Sequence, residues 1–288
     1  MGNGKSERRK GIIYILTAAG LNGLLPLLVT TVYDNGGHFT NIMLYKGVFI
    51  VPVVWILCRA KRVSMHIERK QNMACAFIAF FQFLTSVLLY SSYALISTGI
   101  ATTLHFMYPV AVLIFGAILF HEVPQRKEIV CLLLCVGGIV ILCGSNEGGK
   151  QNVLGMPIAL LSGAVYAGYI LMIGIRAIRE LQSLLFTFYI FFYNMVFSGM
   201  VSFTCGTIRG LTGTGWAVMA VSALAAGLVA VLFQRGIKNI GSQTASILCV
   251  AEPLVSILVG VIFMGEPFSV RFGCGVICVL LSTVLVSR

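Results

Sequence analysis

The chain has 288 residues, of which 58% are hydrophobic and only 10% charged, and its mean hydropathy is +0.97. Soluble globular proteins carry about 25% charged residues, so this composition excludes a soluble fold and indicates repeated membrane spans. The net charge of +11 does not indicate nucleic-acid binding, because the basic residues follow the topology described below.

Ten apolar stretches follow a basic N-terminal segment, residues 1–10. Each stretch is close to the ~20 residues that a helix needs to cross ~30 Å of hydrocarbon. Hydrocarbon satisfies no backbone polar group, and these runs do not alternate as barrel strands do, so all ten are predicted to be helices. In chain order the spans lie at about 11–33, 39–58, 71–95, 98–120, 127–144, 153–175, 182–205, 214–234, 242–264 and 269–287.

Lysine and arginine are distributed unevenly over the loops between these spans. With the N-terminus inside, sixteen of the 20 lie on the cytoplasmic side, three lie outside, and Lys46 lies within a span. Cytoplasmic loops carry such an excess, so we predict a protein of the inner cell membrane with both termini cytoplasmic. The inner set is Lys5, Arg8, Arg9, Lys10, Arg59, Lys61, Arg62, Arg69, Lys70, Arg126, Lys127, Arg176, Arg179, Arg235, Lys238 and Arg288, and the outer set is Lys150, Arg209 and Arg271.

The nine cysteines are scattered, mostly inside apolar stretches, without a CxxC motif or a cluster with histidine. Cysteine in such stretches behaves as a small apolar residue. The sequence therefore predicts no disulfide framework, no metal site and no cofactor.

The two halves of the chain share a pattern at an offset of 144 residues. The halves, 11–144 and 153–287, contain five spans each, so the second half begins on the opposite side of the membrane. Such inverted repeats are typical of secondary transporters, whose sites lie near the midplane between the repeats. The predicted fold is an all-α membrane protein of ten transmembrane helices in two inverted five-helix repeats. The matching pairs are Gly11 and Gly155, Ala101 and Ala245, Pro109 and Pro253, Gly116 and Gly260, and Glu122 and Glu266.

The two halves also end in similar motifs. Tyr108-Pro109 precedes Phe120-His-Glu-Val-Pro124, and Glu252-Pro253 precedes Met264-Gly-Glu-Pro267. These paired motifs, with the glycine-bearing spans after them, resemble EamA-type members of the drug/metabolite transporter superfamily over residues 11–287. The resemblance implies a transporter with a central cavity lined by helices 1–4 and 6–9, and with helices 5 and 10 as peripheral scaffold.

Two charged residues lie well inside the predicted spans, away from the span ends. Glu252 is near the middle of the ninth span, and Lys46 is about seven residues into the second. Each charge costs about 2.5–3.5 kcal/mol at the membrane centre, so both need a partner, water or neutralisation. Either a Lys46–Glu252 bridge holds the halves together, or the two residues are functional. In the functional interpretation Glu252 carries a proton or anchors a substrate amine, and Lys46 anchors a carboxylate.

Proline interrupts two spans at matching positions. Pro109 and Pro253 are predicted to break their helices, since proline frees the carbonyl four residues before it. His105, whose carbonyl Pro109 frees, is either a titrating group or a hydrogen-bonded packing residue. Glu122 and Glu266 are expected to stabilise helix N-termini. Further cavity candidates, chosen by polarity alone, are Asn22, Gln82, Tyr166, Tyr169, Tyr193 and Asn194.

The predicted function is secondary transport of a small organic metabolite by alternating access. An amino acid or related solute is preferred, both from the resemblance and because one acid and one base in the core suit a zwitterion. Outward movement is the preferred direction. Proton coupling is left open, and a channel-like pore or a non-transporting structural protein is the alternative. HExxH, GxSxG and complete Walker A motifs are absent from the sequence, so an enzyme is not predicted. The expected partners are the lipid bilayer, the solute and protons, without nucleic acid, and the chain is a monomer or homodimer.

Impermeant thiol reagents test the topology in a variant whose native cysteines are replaced. Single cysteines placed in 34–38 or 145–152 are expected to be labelled in intact cells. Single cysteines in 59–70 are expected to be labelled only after permeabilisation. Labelling of the 59–70 loop from outside would overturn both the topology and the inverted repeat.

Overall fold

The structure is a computed structural model that describes residues 2–93, 95–96, 104–121, 123–143, 154–249, 251–252, 255, 274, 277–278, 281 and 285. Helices account for most of this part of the chain, which confirms the predicted all-α class. They are α1 (Gly2–Asp34), α2 (Phe39–Ala60), α3 (Arg69–Tyr93), α4 (Tyr108–Phe120), α5 (Arg126–Cys143), α6 (Gly155–Gly174), α7 (Arg176–Arg179), α8 (Ser183–Thr204), α9 (Gly213–Ile240) and α10 (Ser242–Leu248).

Five of the described helices are long and apolar enough to cross a membrane, judged by length and composition. They contain the stretches Asn41–Ala60, Arg69–Leu89, Gly155–Gly174, Ser183–Thr204 and Gly213–Ile240, and α4 adds a shorter apolar helix, Tyr108–Leu119. Most of the predicted tenth span and much of the ninth lie outside the described residues. The count of ten spans therefore stays a prediction.

Two local features differ from the predicted boundaries. Residues 2–10 of the basic segment are continuous with the first span in α1 and do not form a separate element. An ion pair between residues one helical turn apart supports this stretch: Lys10 Nζ lies 2.9 Å from Glu7 Oε1. The second feature is α7, a single turn between the sixth and seventh spans that buries Ile178.

Helices of the first half pack mainly on helices of the second half. Helix α1 packs on α9, α2 on α8, α3 on α6, and α4 on α10. If the spans of each half are numbered from one to five, span 1 of either half packs on span 3 of the other half. Span 2 packs on span 2, and span 4 packs on span 4. Exchanging the halves leaves this set of pairs unchanged, as a two-fold relation between them requires.

Close contacts between helices follow the same offset of 144 residues. A Cβ on Gly11 would lie 2.7 Å from the Cβ of Asn239 and 2.7 Å from Cγ2 of Ile240. A Cβ on Gly155 would lie 2.9 Å from the Cβ of Leu95 and 2.6 Å from Cγ2 of Ile96. The neighbours of Gly11 are thus the repeat counterparts of the neighbours of Gly155. At both positions glycine lets the first helix of one half approach the third span of the other.

The first helices of the two halves begin at opposite ends of the bundle. Helices α1, α2 and α3 alternate in direction, so α1 and α3 begin at the same end. Helix α6 is antiparallel to α3, because Gln71 at the start of α3 donates from Nε2 to the Ala177 carbonyl, just beyond the end of α6, at 3.3 Å. At the other end Gly155, the first residue of α6, contacts Ile96. The second half therefore runs through the bundle in the opposite sense.

The end at which α1 begins carries most of the described basic residues, and we call it the basic end. Two contacts between elements lie there: Asn239 Nδ2 donates to the Glu7 carbonyl at 3.2 Å, and Arg179 Nη2 donates to the Lys238 carbonyl at 2.9 Å. Arg209 lies near the opposite end. The basic end carries Lys5, Arg8, Arg9, Lys10, Arg59, Lys61, Arg62, Arg69, Lys70, Arg126, Lys127, Arg176, Arg179, Arg235 and Lys238.

The substitution Gly155→Ala is expected to lower the melting temperature of the detergent-solubilised protein, because the added methyl group overpacks α6 against Leu95 and Ile96. Overpacking of this kind typically costs about 1–3 kcal/mol. Gly137→Ala in α5 is the matched control, since a Cβ there meets nothing within 4 Å. Equal melting of both variants and the wild type would contradict the close approach.

Candidate functional site

The fourth predicted span, 98–120, is interrupted midway. Leu104 and His105 are helical, a turn follows at Phe106–Met107, and α4 begins at Tyr108 with Pro109 in its first turn. Proline is well tolerated there, because the first N–H groups of a helix have no partner within the helix. Pro109 therefore follows a break in the span rather than bending a continuous helix.

The carbonyl of His105, four residues before Pro109, faces the backbone of α6. A Cβ on Gly163 would lie 2.7 Å from this oxygen, so glycine is needed for the two backbones to meet. Such close approach allows Cα–H···O contacts, which partly satisfy a carbonyl. The released backbone group is covered by protein, as is required inside a membrane.

The ninth span is interrupted at the equivalent position. Helix α10 ends at Leu248 and is capped by Cys249, and the backbone N–H of Glu252 donates to the Cys249 carbonyl at 2.9 Å. At the offset of 144, Cys249 corresponds to His105 and Glu252 corresponds to Tyr108. Pro253, the second predicted helix breaker, lies outside the described residues. Since α4 packs on α10, the two breaks lie close together between the halves.

Glu252 contacts the first helix of the chain. The side chain of Asn22 in α1 lies within hydrogen-bonding reach of the Glu252 carboxylate. The backbones also approach, since a Cβ on Gly23 would lie 2.7 Å from the Glu252 carbonyl oxygen. Asn22 and Glu252 both keep part of their surface accessible, although each lies near the middle of its span. Among the described residues, Asn22 is thus a polar neighbour of the carboxylate, and Glu252 as a whole is only partly buried.

Lys46 lies two turns into α2 and is only 7% exposed. It forms no ion pair with Glu252 within 4 Å, and the ion pairs of the described chain are Lys10–Glu7 and Arg176–Glu180, both at the basic end. The bridge between the halves, one of the two interpretations of these charges, is therefore not formed. Lys46 and Glu252 are separate charges on different helices.

Aromatic rings of α4 and α6 lie beside Glu252, and we call Tyr108, Tyr166 and Tyr169 the tyrosine wall. Tyr108 and Tyr166 form a T-shaped pair with ring centroids 4.9 Å apart, and Tyr166 stacks on Tyr169 at 5.3 Å with 18° between the ring planes. Aromatic pairs favour these arrangements at such distances. Both Tyr108 and Tyr166 are within electrostatic range of Glu252.

His105 adjoins the tyrosine wall, with its ring centroid 5.3 Å from that of Tyr166. Its Nδ1 lies 3.0 Å from Ser162 Oγ, and Ser162 Oγ donates to the Ala159 carbonyl at 2.6 Å. Because Ser162 has one proton and gives it to Ala159, His105 Nδ1 carries a proton and donates to Ser162. This arrangement favours the packing interpretation of His105.

Gln82 and Asn194 form another polar contact between the halves, from α3 to α8. Asn194 Nδ2 donates to Gln82 Oε1 at 2.7 Å and to the Ile190 carbonyl at 3.1 Å. Asn194 is 1% exposed, and its Oδ1 has no hydrogen-bond partner among the described residues. Tyr193, another cavity candidate, belongs to a different contact: its hydroxyl donates to Asn72 Oδ1 at 2.8 Å.

Two residues of this region were not among the predicted cavity candidates. Tyr108 occupies the position of Glu252 in the other half, which the offset of 144 makes visible. Ser162 precedes Tyr166 by one helical turn, so it lies on the same face of α6. The candidates that the structure brings together are Asn22, His105, Tyr166, Tyr169 and Glu252, whereas Gln82 and Asn194 form a separate pair and Lys46 joins neither group.

Comparisons with known proteins agree with this architecture. The sequence pattern of the EamA-like transporter family matches residues 9–144 and again residues 153–288. The chain is 25% identical to the uncharacterized transporter YcbK of Bacillus subtilis, over 93% of this chain and 90% of that protein. It is 29% identical to the uncharacterized transporter sll1319 of Synechocystis sp., over 82% of this chain and 66% of that protein. One solved crystal structure has the same fold, with a TM-score of 0.82 and 16% identity over 96% of this chain and 95% of the other. The chain therefore belongs to the EamA-like transporter family.

Proposed function

We propose that this protein is a secondary active transporter that moves a small organic metabolite across the inner cell membrane by alternating access, with Glu252 in its binding site. The observation that carries the proposal is the meeting of two helix breaks, at Phe106–Met107 and at Cys249, between halves that run in opposite directions. Discontinuous helices at the meeting point of inverted repeats are typical of transporter sites.

The packing between the halves supports alternating access. Because the helix pairs are unchanged when the halves are exchanged, each conformation of one half has a counterpart in the other. Rocking of one set of helices on the other would open one end while closing the opposite end around a fixed site. Contacts that such a movement must break in turn are Asn239 with Glu7 at the basic end and Thr212 with Asn35, at 2.6 Å, at the other.

The tyrosine wall argues against a channel. A channel needs a continuous path through the bundle, without two alternating states. At mid-span, however, Tyr108 is 1% exposed and Tyr169 is 4% exposed, and both rings pack against Tyr166. A solute would pass only when these rings move, as a conformational cycle allows.

The proposed solute is an amino acid or a related metabolite, moved outward, with a proton as the coupling ion. Glu252 would bind a proton or the solute amine, and Lys46 would bind a carboxylate. Support comes from the absence of an ion pair between these two described residues, which leaves each charge available to the solute. Exchange of proton and amine at one carboxylate would couple the movements of the two.

Counterflow in proteoliposomes tests transport itself. A solute is first found by a thermal-shift screen of metabolites on the purified protein. In vesicles preloaded with this solute, the labelled solute is expected to accumulate transiently, with an initial rate that saturates. Flux that neither saturates nor exchanges would indicate a channel, and the absence of flux would indicate a structural protein.

The substitution Glu252→Gln is expected to abolish proton-gradient-driven accumulation while leaving the protein folded, because it keeps the shape and removes the titrating charge. No ion pair is lost, so the melting temperature should change little. Glu180→Gln is the matched control, since this exposed carboxylate pairs with Arg176 at the basic end and should be dispensable. Gradient-dependent uptake at the wild-type level in well-folded Glu252→Gln protein would exclude Glu252 as the proton carrier.

A further inference from the structure

The two halves carry different chemistry at equivalent positions of the site. At the offset of 144, Asn22 corresponds to Tyr166, and Tyr108 corresponds to Glu252. The contact between Asn22 and Glu252 is therefore the repeat counterpart of the contact between Tyr166 and Tyr108. One is a polar pair with a carboxylate, and the other is a T-shaped pair of aromatic rings. The duplicated contact has thus become two unlike surfaces that lie side by side.

These two surfaces lie close together, and each has a partly accessible residue. Glu252 lies within electrostatic range of both Tyr108 and Tyr166. Glu252, Asn22 and Tyr166 each keep part of their surface accessible near mid-span. In addition, a Cβ on Gly20 would meet nothing within 4 Å, so α1 leaves room one turn before Gly23. A bound molecule would therefore touch the carboxylate and a tyrosine ring at once.

Packing alone does not account for the hydroxyl of Tyr108. The residue is 1% exposed, and its Oη has no hydrogen-bond partner among the described residues, with only the weakly bonding Cys249 thiol beside it. Burying a polar group without a partner destabilises the folded protein, so phenylalanine would pack better here. The hydroxyl is a buried polar atom within electrostatic range of Glu252, and a bound molecule would reach it only when the rings move.

We propose that the site between Glu252 and the tyrosine wall binds a solute that joins a protonated amine to a planar apolar group. This inference rests on the proposed function and specifies its substrate class. The amine would form a charge-assisted hydrogen bond to the Glu252 carboxylate and lie against a tyrosine face, where cations are attracted to the ring. The planar group would pack against the part of Tyr166 that stays accessible. In the described part of the chain no cationic side chain contacts Glu252. This part of the site therefore offers no partner for a carboxylate on the solute, and the solute does not need one there.

Binding of four small probes to the detergent-purified full-length protein tests this substrate class. The probes are phenethylamine, 2-phenylethanol without the charge, ethylamine without the ring, and phenylacetate with the opposite charge. Isothermal titration near neutral pH is expected to show phenethylamine binding at least about tenfold more tightly than each of the others, in keeping with the strength of a desolvated cation–π contact and a charged hydrogen bond. Equal binding of 2-phenylethanol or phenylacetate, or no binding of phenethylamine, would overturn the proposal.

Variants assign the two parts of the preference to the two surfaces. Glu252→Gln should remove the preference for phenethylamine over 2-phenylethanol, and Tyr166→Leu should remove its preference over ethylamine. Glu180→Gln should leave both preferences unchanged. If the preference for the charged probe survives in Glu252→Gln, the amine lies elsewhere and the proposal is wrong. The comparison of the four probes on the wild-type protein decides the substrate class even if Tyr166→Leu does not fold.

Proteoliposomes separate this inference from the proposed function. Saturable counterflow of a solute that lacks an amine, together with weak binding of phenethylamine, would leave the transporter intact and overturn the substrate class. Tight and selective binding of phenethylamine without any exchange flux would support the substrate class and overturn transport.

Discussion

Hydrocarbon offers no hydrogen bonds to a peptide group, and the centre of this bundle is built under that constraint. Each helix break releases backbone groups that lipid cannot satisfy. The His105 carbonyl is covered by the bare backbone at Gly163, and Gly23 brings α1 against the backbone of Glu252. Breaks are therefore possible only where the two halves approach closely. In this structure that place is the contact of α1, α4, α6 and α10, where the two breaks meet.

The same constraint separates the buried polar side chains into two kinds. His105 and Ser162 satisfy one another and the Ala159 carbonyl, so they need nothing further to be stable. Tyr108 Oη and Asn194 Oδ1 have no hydrogen-bond partner among the described residues. Atoms of the second kind destabilise the folded protein unless a bound molecule or a second conformation uses them.

The spans could be predicted because membrane thickness acts directly on hydrophobic run length, and α2, α3 and α8 lie close to their predicted bounds. The offset of 144 residues was also visible, since glycine at 11 and at 155 serves the same close approach. Helix partners were not predictable. Lys46 and Glu252 were the obvious pair as the two charges in the core, yet α2 packs on α8 and α9, while α10 packs on α1 and α4.

The effect of a proline was also only partly predictable. Sequence shows that Pro109 cannot donate a hydrogen bond, but the same loss can bend a helix or end it. Which of these occurs depends on whether a neighbouring backbone can cover the released carbonyl. That neighbour is Gly163, 58 residues after His105 in the chain and recognisable only once α6 is seen to pack on α4.

Packing between rather than within the halves has a consequence for biosynthesis. The contact of Asn239 with Glu7 joins residues 232 positions apart, so α1 cannot make this contact until most of the chain has been synthesised. During that interval the faces of α1, α2 and α3 that later meet the second half are exposed to lipid or to other proteins. Membrane insertion and tertiary folding are thus separate events for this chain, and its first half lacks the partners it would need to form a stable bundle by itself.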